Sequence, residues 1–289
     1  MLRILVIGAT GRFSGIVDQL LARGHTVRAI TRDPSSPAAQ AMGAAGAEIV
    51  RGDLDERASL LKAARGIDVV FAAGTLHRAG PEGDVRHGMA ITDTVRTAQV
   101  PHLLYVSVAG AETEADVPLF RSKRAVEAYI RKSGVPATIL APVYFMENIF
   151  MPWWQPFLRA GKFPLALPAS TRMQQVPVAD VTAAAAAAIE RRDDFLGERM
   201  IIASDAISGS DSARAISRVV GATVPFEEVP IERLPEGVQR LFLHVRAMGF
   251  GADIPAVRAA FPDTRWHTFE EWAAGQNWSA IHTAARRKE

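Results

Sequence analysis

The strongest constraint on the fold is the segment from Ile4 to Gly15, in which an apolar run ends in a glycine-rich turn. The run predicts a buried strand, and residues 16–23, ended by Gly24, predict a helix directly after the turn. Glycines allow close approach to a pyrophosphate, and the helix amino terminus offers unpaired N–H groups. The segment therefore predicts a dinucleotide site, and the alternative is a tight turn that binds nothing. The candidate residues are Gly8, Thr10, Gly11, Arg12, Phe13, Ser14 and Gly15.

A second strand pattern, at 25–31, ends at Arg32, where a βαβ unit reaches the adenosine ribose. An acidic residue there favours NAD, whereas an arginine favours the 2′-phosphate of NADP. Arg12 is a second cation nearby, and Asp33, which precedes a proline, is interpreted as a turn residue. We therefore expect NADP(H) as the preferred cofactor and NAD(H) as the alternative. The competing interpretation of Arg32 is a solvated loop residue.

The composition narrows the function classes. The 289-residue chain has no cysteine, which excludes disulfides and thiolate chemistry. Its 33 basic and 31 acidic residues leave no basic surface typical of nucleic-acid binding. The seven histidines show no metal-ligand spacing, so no metal is expected. The alanine-rich stretch 183–189 is too short to span a bilayer, and we expect no separate leader before the first strand. We expect a cytoplasmic protein with no membrane or nucleic-acid partner.

The first half of the chain alternates strand and helix patterns. Strands are predicted at 4–7, 25–31, 47–51, 67–73, 103–108 and 137–141, and helices at 16–23, 38–45, 55–64, 88–99 and 122–133. Further strands at 176–179 and 200–203 surround a helix at 181–190. Apolar strands joined by helices indicate a parallel sheet buried on both faces. The expected fold is α/β, a Rossmann-type doubly wound parallel sheet, with a dinucleotide-binding domain at 1–145 plus about 176–205.

The pattern changes after residue 145. Residues 146–175 are rich in aromatic residues and prolines and predict loops and a short helix, while 206–289 predicts helices and irregular segments. We expect these two segments to form a smaller, discontinuous, C-terminal substrate-capping region. Its aromatic side chains either stack on a flat substrate or pack the region itself.

Ligands of such sheets bind outside the carboxyl ends of the strands, which nominates further cofactor-binding residues. These are Asp53, Leu54, Ala73, Gly74, Thr75, Ser107, Pro142, Val143 and Tyr144. Asp53 either accepts a hydrogen bond from the adenine amino group or is a turn residue. Gly74 either lets the backbone pass close to the cofactor or is an ordinary loop glycine.

Eight segments form an ordered set of motifs. They are Gly8-Ala9-Thr10-Gly11, 27–32, Gly52-Asp53-Leu54, Tyr105-Val106-Ser107, 122–127, 133–135, 139–148 and 178–181. This set resembles the NmrA-like, NAD(P)H-binding branch of the atypical short-chain dehydrogenase/reductase superfamily, over residues 1–205 and more loosely beyond. The resemblance implies cofactor binding. The family includes reductases of quinones and aromatic compounds, isoflavone-reductase-like relatives that use a lysine, and regulators that bind the dinucleotide without turnover.

Two positions depart from the family pattern. The usual third glycine falls at Ser14, whose hydroxyl either caps the helix or reaches a phosphate. The superfamily's Tyr-x-x-x-Lys pair would place tyrosine where the chain has Leu119, although Lys123 is present. A phenol beside a lysine is a suitable proton donor for carbonyl reduction. Its loss leaves the source of the proton open.

The candidate catalytic residues are Lys123, Tyr144 and Ser107. Lys123 either donates the proton or, as we favour, only positions the nicotinamide ribose. Tyr144 is an alternative proton donor. Ser107 either places the ribose or the substrate or simply ends its strand. A quinone would need no placed acid, because it accepts hydride readily and takes its proton from water.

We therefore expect an NADPH-preferring oxidoreductase that reduces a quinone or aromatic carbonyl-type small molecule by direct hydride transfer. The alternative is a catalytically silent NAD(P)(H)-binding redox sensor that acts through a regulatory protein partner. A homodimer is a further option that the sequence leaves open.

Overall fold

The computed structural model describes residues 1–113 and 115–281, which form twelve strands and twelve α-helices. The strands are β1 (Arg3–Ile7), β2 (Thr26–Thr31), β3 (Glu48–Arg51), β4 (Val69–Ala73), β5 (His102–Val106), β6 (Ala137–Pro142), β7 (Tyr144–Phe145), β8 (Phe163–Leu165), β9 (Arg172–Val176), β10 (Arg199–Ile202), β11 (Asp205–Ser208) and β12 (Phe226–Glu228). The helices are α1 (Gly15–Ala22), α2 (Pro37–Ala44), α3 (Arg57–Ala63), α4 (Leu76–Thr97), α5 (Pro118–Ser133), α6 (Gln155–Arg159), α7 (Val178–Glu190), α8 (Arg192–Phe195), α9 (Gly209–Val220), α10 (Glu236–Met248), α11 (Ile254–Ala260) and α12 (Phe269–Ala274).

Seven parallel strands form the central sheet in the order β10-β6-β5-β4-β1-β2-β3. The chain builds outwards from β1 to β3 and then in the other direction from β4, which confirms the doubly wound, Rossmann-type arrangement. The direction changes between β1 and β4, where Ile7 pairs with Ala72. At such a switch point the loops that follow the two strands leave a crevice for a ligand. Those two loops begin at Gly8 and Gly74.

The strands that carry these loops are fixed by apolar packing. Every residue of β4, β5 and β6 is buried. Leu60 of α3, Ile91 of α4 and Val126 of α5 belong to the core that packs against them. Burial on both faces is the property that the unbroken apolar runs predict for a parallel sheet.

Two helix boundaries expected from the sequence are wrong. α4 begins at Leu76 rather than at residue 88, because helical structure continues on both sides of a kink at Gly80, whose φ is 68°, and Pro81. The glycines and the proline of this stretch predict a loop instead. α5 begins at Pro118 rather than at residue 122. Proline is favoured in the first turn of a helix, where its missing N–H has no intrahelical partner.

The strand expected at 176–179 is also misplaced. β9 ends at Val176, and α7 begins at Val178. Pro177 lies between them and cannot donate to a strand ladder, so the strand stops there. Segment 146–175 contains β8 and part of β9 in addition to the expected loops and short helix. Because β8 contains Pro164, the sequence pattern does not predict a strand there. The proline is tolerated in the two-stranded sheet that β8 forms with β12.

The chain divides into two compact units. The first comprises Met1–Ala141 and Val181–Met200, and the second comprises Pro142–Asp180 and Ile201–Glu289. Within the second unit, β9 pairs antiparallel with β11 and parallel with β7, and β8 pairs parallel with β12. Both units are discontinuous in sequence. That the second unit caps a substrate stays a prediction.

A histidine in the first unit predicts how stability depends on pH. The His102 side chain is buried, with Nε2 2.9 Å from Thr138 Oγ1, and Thr138 donates to the Phe195 carbonyl. Burial, with a smaller contribution from the Arg192 charge, lowers the pKa of His102 from 6.5 to about 4. As pH falls, the unfolded chain therefore takes up this proton before the folded chain does, and the stabilisation present above pH 6.5 is lost towards pH 4.

We expect His102→Gln to reduce this pH dependence by about 3 kcal/mol between pH 7 and pH 4, the free energy that corresponds to the pKa difference. Urea unfolding of the wild type and the variant at pH 7, 5.5 and 4 measures it. Parallel curves of unfolding free energy against pH would contradict the assignment.

Candidate functional site

The turn after β1 has the geometry that a pyrophosphate requires. Gly8 has a φ of 84°, and the Gly11 amide donates to its carbonyl at 2.9 Å. A Cβ added at Gly8 or Gly15 would meet no atom within 4 Å, so the space beside the turn is open to a ligand. α1 begins at Gly15, directly after the turn. These residues fit a dinucleotide phosphate group.

Ser14 and Phe13 have different roles in this turn. Ser14 precedes α1 with helical backbone angles, and its hydroxyl makes no capping hydrogen bond, so the expected cap is wrong and the phosphate role stays a prediction. The Phe13 ring lies edge-on to Phe71 of β4, with 6.3 Å between the ring centroids. Phe13 therefore anchors the turn to the strand at the other side of the switch point. Thr10 and Arg12 are half-buried.

The residues expected at the adenosine end follow β2 and β3. Arg32 is exposed directly after β2. The Asp33 carboxylate accepts from the Ser35 amide at 2.9 Å, as expected for a turn residue. The Asp53 carboxylate accepts from the Asp55 amide at 3.0 Å, so one of its oxygens serves its own turn. The roles of Arg32, Asp53 and the half-buried Leu54 towards a cofactor stay predictions.

Lys123 lies beneath the loop that follows β4. Its side chain is 5% exposed, and its Nζ donates to Asp84 Oδ1 at 3.0 Å and to the Tyr105 hydroxyl oxygen at 3.3 Å. Ala73 ends β4 and is buried. A Cβ added to Gly74 would lie 1.4 Å from Lys123 Nζ. The absence of a Cβ at Gly74 therefore leaves room for the Lys123 ammonium group. The sequence predicts a close approach of this backbone to the cofactor, whereas the structure shows a close approach to Lys123.

Asp84 organises the groups around this lysine. Its Oδ1 accepts from the Thr75 amide at 2.6 Å, and its Oδ2 accepts from the Ser122 hydroxyl at 2.9 Å. The Asp84 side chain has no exposed surface. We call Lys123, Asp84, Tyr105, Ser122 and Thr75 the lysine site. It joins the ends of β4 and β5 to α4 and α5.

The electrostatics of the lysine site favour a fixed charge. Burial lowers the pKa of Lys123, and the Asp84 carboxylate and, less strongly, Glu127 oppose that shift. Burial raises the pKa of Tyr105 well above its usual value, and the charges of Asp84 and Glu127 add to the rise. The Tyr105 phenol therefore stays neutral at physiological pH, and the Asp84 carboxylate stabilises the ammonium form of Lys123.

Ser107 belongs to a second polar cluster. It follows β5, and its hydroxyl donates to Glu127 Oε1 in a short hydrogen bond. Arg199 Nε donates to Glu127 Oε2 at 2.9 Å, and its guanidinium also bonds the Val108 carbonyl at 3.1 Å and Glu112 at 2.6 Å. The Ser107 hydroxyl is therefore held by a carboxylate that is 1% exposed. Its expected role in placing a ribose or a substrate stays a prediction.

The remaining expected residues, Pro142, Val143 and Tyr144, belong to the second unit. Val143 donates from its amide to the Ile202 carbonyl at 3.0 Å. The Tyr144 hydroxyl oxygen accepts from Trp154 Nε1 at 3.4 Å, and its ring centroid lies 5.8 Å from that of Phe242. Tyr144 is buried within this unit, and its role as a proton donor stays a prediction.

Most aromatic side chains of segment 146–175 pack the second unit. Trp154 is fully buried and lies edge-on to Phe242 at 5.9 Å between ring centroids. The Phe150 ring lies 5.3 Å from that of Trp278, and the Phe163 ring 6.0 Å from that of Phe269. These contacts favour core packing over substrate stacking for this segment.

Sequence reasoning missed Asp84 and Tyr105 as parts of the site. Asp84 lies in the stretch that the pattern assigns to a loop, and a spacing argument has no way to pair it with Lys123. Tyr105 supplies a phenol near Lys123 from a different element than the helix that carries Leu119. The sequence signal that could have found Tyr105 is its position within the apolar run 103–106. A buried tyrosine hydroxyl usually has a polar partner.

Within residues 1–113 and 115–281, no group of histidine and acidic side chains could hold a metal ion. No helix in these two ranges is long and apolar enough to cross a membrane.

Residues 2–254 match the NmrA-like family, and the chain belongs to this family. It is 31% identical over 230 residues to a (4-alkanoyl-5-oxo-2,5-dihydrofuran-3-yl)methyl phosphate reductase from Streptomyces griseus, covering 79% of this chain and 78% of the relative. It is 26% identical over 236 residues to an NAD(P)H azoreductase from Xenophilus azovorans, covering 81% and 80%.

The fold is similar to that of the NADPH-dependent quinone oxidoreductase QOR2 from Escherichia coli, whose crystal structure contains NADPH. The TM-score is 0.79 at 20% identity, covering 94% of this chain and 98% of that one. Both sequence relatives are reductases, and the azoreductase uses NAD(P)H. The likeness to QOR2 shows the fold alone.

Proposed function

We propose that the chain is an NADPH-preferring oxidoreductase that transfers hydride to a quinone or aromatic carbonyl-type small molecule. The observation that carries the proposal is the shared location of two features. The glycine turn after β1 and the lysine site under the Gly74 loop both lie at the switch point of the sheet. A pyrophosphate at the first and a nicotinamide ribose at the second match two adjacent parts of one bound dinucleotide.

In this proposal Lys123 positions the ribose and is not the proton donor. Its Nζ already interacts with Asp84, which stabilises the charged form and opposes the release of a proton. An ammonium group fixed by a carboxylate presents its remaining N–H to a ribose hydroxyl as a charge-assisted hydrogen bond. The nicotinamide, when bound, supplies the hydride.

The type of acceptor follows from the missing acid. Leu119 cannot donate a proton, and Tyr105 is fully buried. A conjugated, electron-poor acceptor spreads the added electron pair over several atoms and takes its proton from water. The acceptors named for the relatives, which are a quinone, an azo compound and an unsaturated lactone, are all of this kind.

The assay that tests this function is steady-state NADPH oxidation with quinones, azo compounds and unsaturated carbonyl compounds. We expect turnover of about 1 per second or faster with at least one class. Tight NADPH binding without turnover of any acceptor would favour the second candidate, a dinucleotide-binding redox sensor with a protein partner. The replacement of the superfamily's tyrosine by Leu119 is the observation that favours this alternative.

Arg32 tests the preference for NADPH. We expect Arg32→Ala to weaken NADPH binding by about 10- to 100-fold, because a charge-assisted hydrogen bond to the 2′-phosphate is lost. NADH binding should change less than about twofold. Arg65→Ala is the matched control, since Arg65 is exposed and precedes the amino end of β4, whereas the cofactor is expected at the carboxyl ends of the strands. Equal losses for NADPH and NADH would exclude Arg32 as the 2′-phosphate contact.

A further inference from the structure

We propose that Asp84 is the positioning residue of the lysine site: it fixes the Lys123 ammonium and the Thr75 amide together, and so controls how Lys123 holds the cofactor ribose. This proposal rests on the proposed function. Asp84 itself is not expected to touch the cofactor.

Asp84 accepts hydrogen bonds from both the loop after β4 and α5. Oδ1 accepts from both Lys123 Nζ, at 3.0 Å, and the Thr75 amide, at 2.6 Å. Oδ2 accepts from Ser122, the residue before Lys123 on α5, at 2.9 Å. One buried carboxylate thus ties the loop after β4 to the helix that carries the lysine. Movement of either would break a hydrogen bond in a buried site.

The Lys123 ammonium group packs against the backbone of Gly74. Lys123 Nζ lies so close to Gly74 that no Cβ could be placed there. The ammonium therefore contacts the backbone at the switch point, where the cofactor is expected to pass. A lysine side chain has four rotatable bonds and would not keep this place without a fixed partner.

Asp84 is the carboxylate that bonds Lys123 directly, among the titratable groups around it. Asp84 faces it from α4, Tyr105 from β5, and Glu127 lies one turn further along α5. Tyr105 is neutral, and Glu127 is occupied by Ser107 and Arg199. Burial already lowers the pKa of Lys123, and without the charge of Asp84 this pKa would fall further. That change favours the neutral amine, which lacks the strong donor that a ribose hydroxyl would accept.

Asp84→Asn tests the proposal, with Asp93→Asn as the matched control. Asp93 is also on α4, but it is partly exposed and bonds Arg96 and Tyr129. NADPH is titrated calorimetrically from pH 7 to 9.5. The wild type and the control should share one pH profile, whereas in Asp84→Asn affinity should fall about tenfold or more at a lower pH than in the wild type, as Lys123 loses its proton. Identical pH profiles would overturn the proposal.

Two further variants separate positioning from a general structural role. Asp84→Glu retains the charge and should restore the wild-type pH profile, even where affinity is reduced. In a Lys123→Met background, Asp84→Asn should cause no additional loss of NADPH affinity, because Asp84 acts through Lys123. An additional loss of tenfold in that background, or the Asp84→Asn pH profile in Asp84→Glu, would contradict the proposal. These two variants decide the question even where Asp84→Asn alone does not fold.

A measurement without cofactor distinguishes this proposal from the proposed function. The Lys123 side chain is titrated by heteronuclear NMR in the cofactor-free protein, with its signal assigned from Lys123→Met. We expect a lower titration midpoint in Asp84→Asn than in the wild type, and an unchanged midpoint would overturn Asp84 control of Lys123. Failure of the wild type to bind NADPH would instead refute the proposed function.

Discussion

Lys123→Met is expected to reduce the unfolding free energy by about 3–5 kcal/mol and to weaken NADPH binding by about 10- to 100-fold. The first effect arises because the Asp84 carboxylate, which has no exposed surface, loses its cationic partner. The second arises because the ribose loses a charge-assisted hydrogen bond. Urea unfolding and calorimetric titration measure the two effects separately.

The controls for this variant address each effect. Lys62→Met removes an exposed lysine of α3 and should alter neither quantity beyond error. The double variant Asp84→Asn, Lys123→Met removes both charges of the buried pair but keeps a side-chain oxygen for the Thr75 amide. It should recover part of the lost stability, but not the NADPH affinity. Full NADPH affinity in Lys123→Met would exclude the ribose contact.

Arg199→Met should cause the second large effect, a loss of about 3 kcal/mol of unfolding free energy and of roughly 5–10 °C in melting temperature. Arg199 donates to Glu127 at 2.9 Å, and Glu127 is 1% exposed, so the variant leaves a buried carboxylate with weaker compensation. Scanning calorimetry measures the loss. Glu127→Gln in the same background should recover part of it.

An exposed ion pair provides the comparison for Arg199. Arg218 bonds Glu270 at 2.7 Å, with more than half of each side chain exposed, and Arg218→Met should cost less than about 1 kcal/mol. Similar losses for the two variants would show that burial of Glu127 is not the cause.

The sheet could be predicted from sequence because its signals are local. β1, β4, β5 and β6 are short, mostly apolar runs beside a turn, and Gly8 and Gly74 follow directly from where β1 and β4 end. Burial on both faces makes such runs unambiguous.

The contacts of the lysine site could not be predicted in the same way. Asp84 follows Gly80 and Pro81, which are typical of a loop, whereas the structure continues as a kinked helix and brings Asp84 to Lys123. The pairing depends on how α4 and α5 pack, which no local pattern encodes. The contribution of Tyr105 was missed for the same reason, since it is 18 residues from Lys123 in sequence.

The aromatic residues of segment 146–175 were ambiguous for a different reason. A tryptophan in a ligand pocket and one in a core have the same local sequence, and only the partners distinguish them. The contacts of Trp154 with Tyr144 and Phe242 identify it as a core residue.

The most direct test of the account is a calorimetric titration of the wild-type protein with NADPH, NADP, NADH and NAD in parallel. We expect one site per chain, with NADPH and NADP bound about tenfold or more tightly than the forms without the 2′-phosphate. Binding of none of the four would contradict it, because the glycine turn and the lysine site would then have no common ligand.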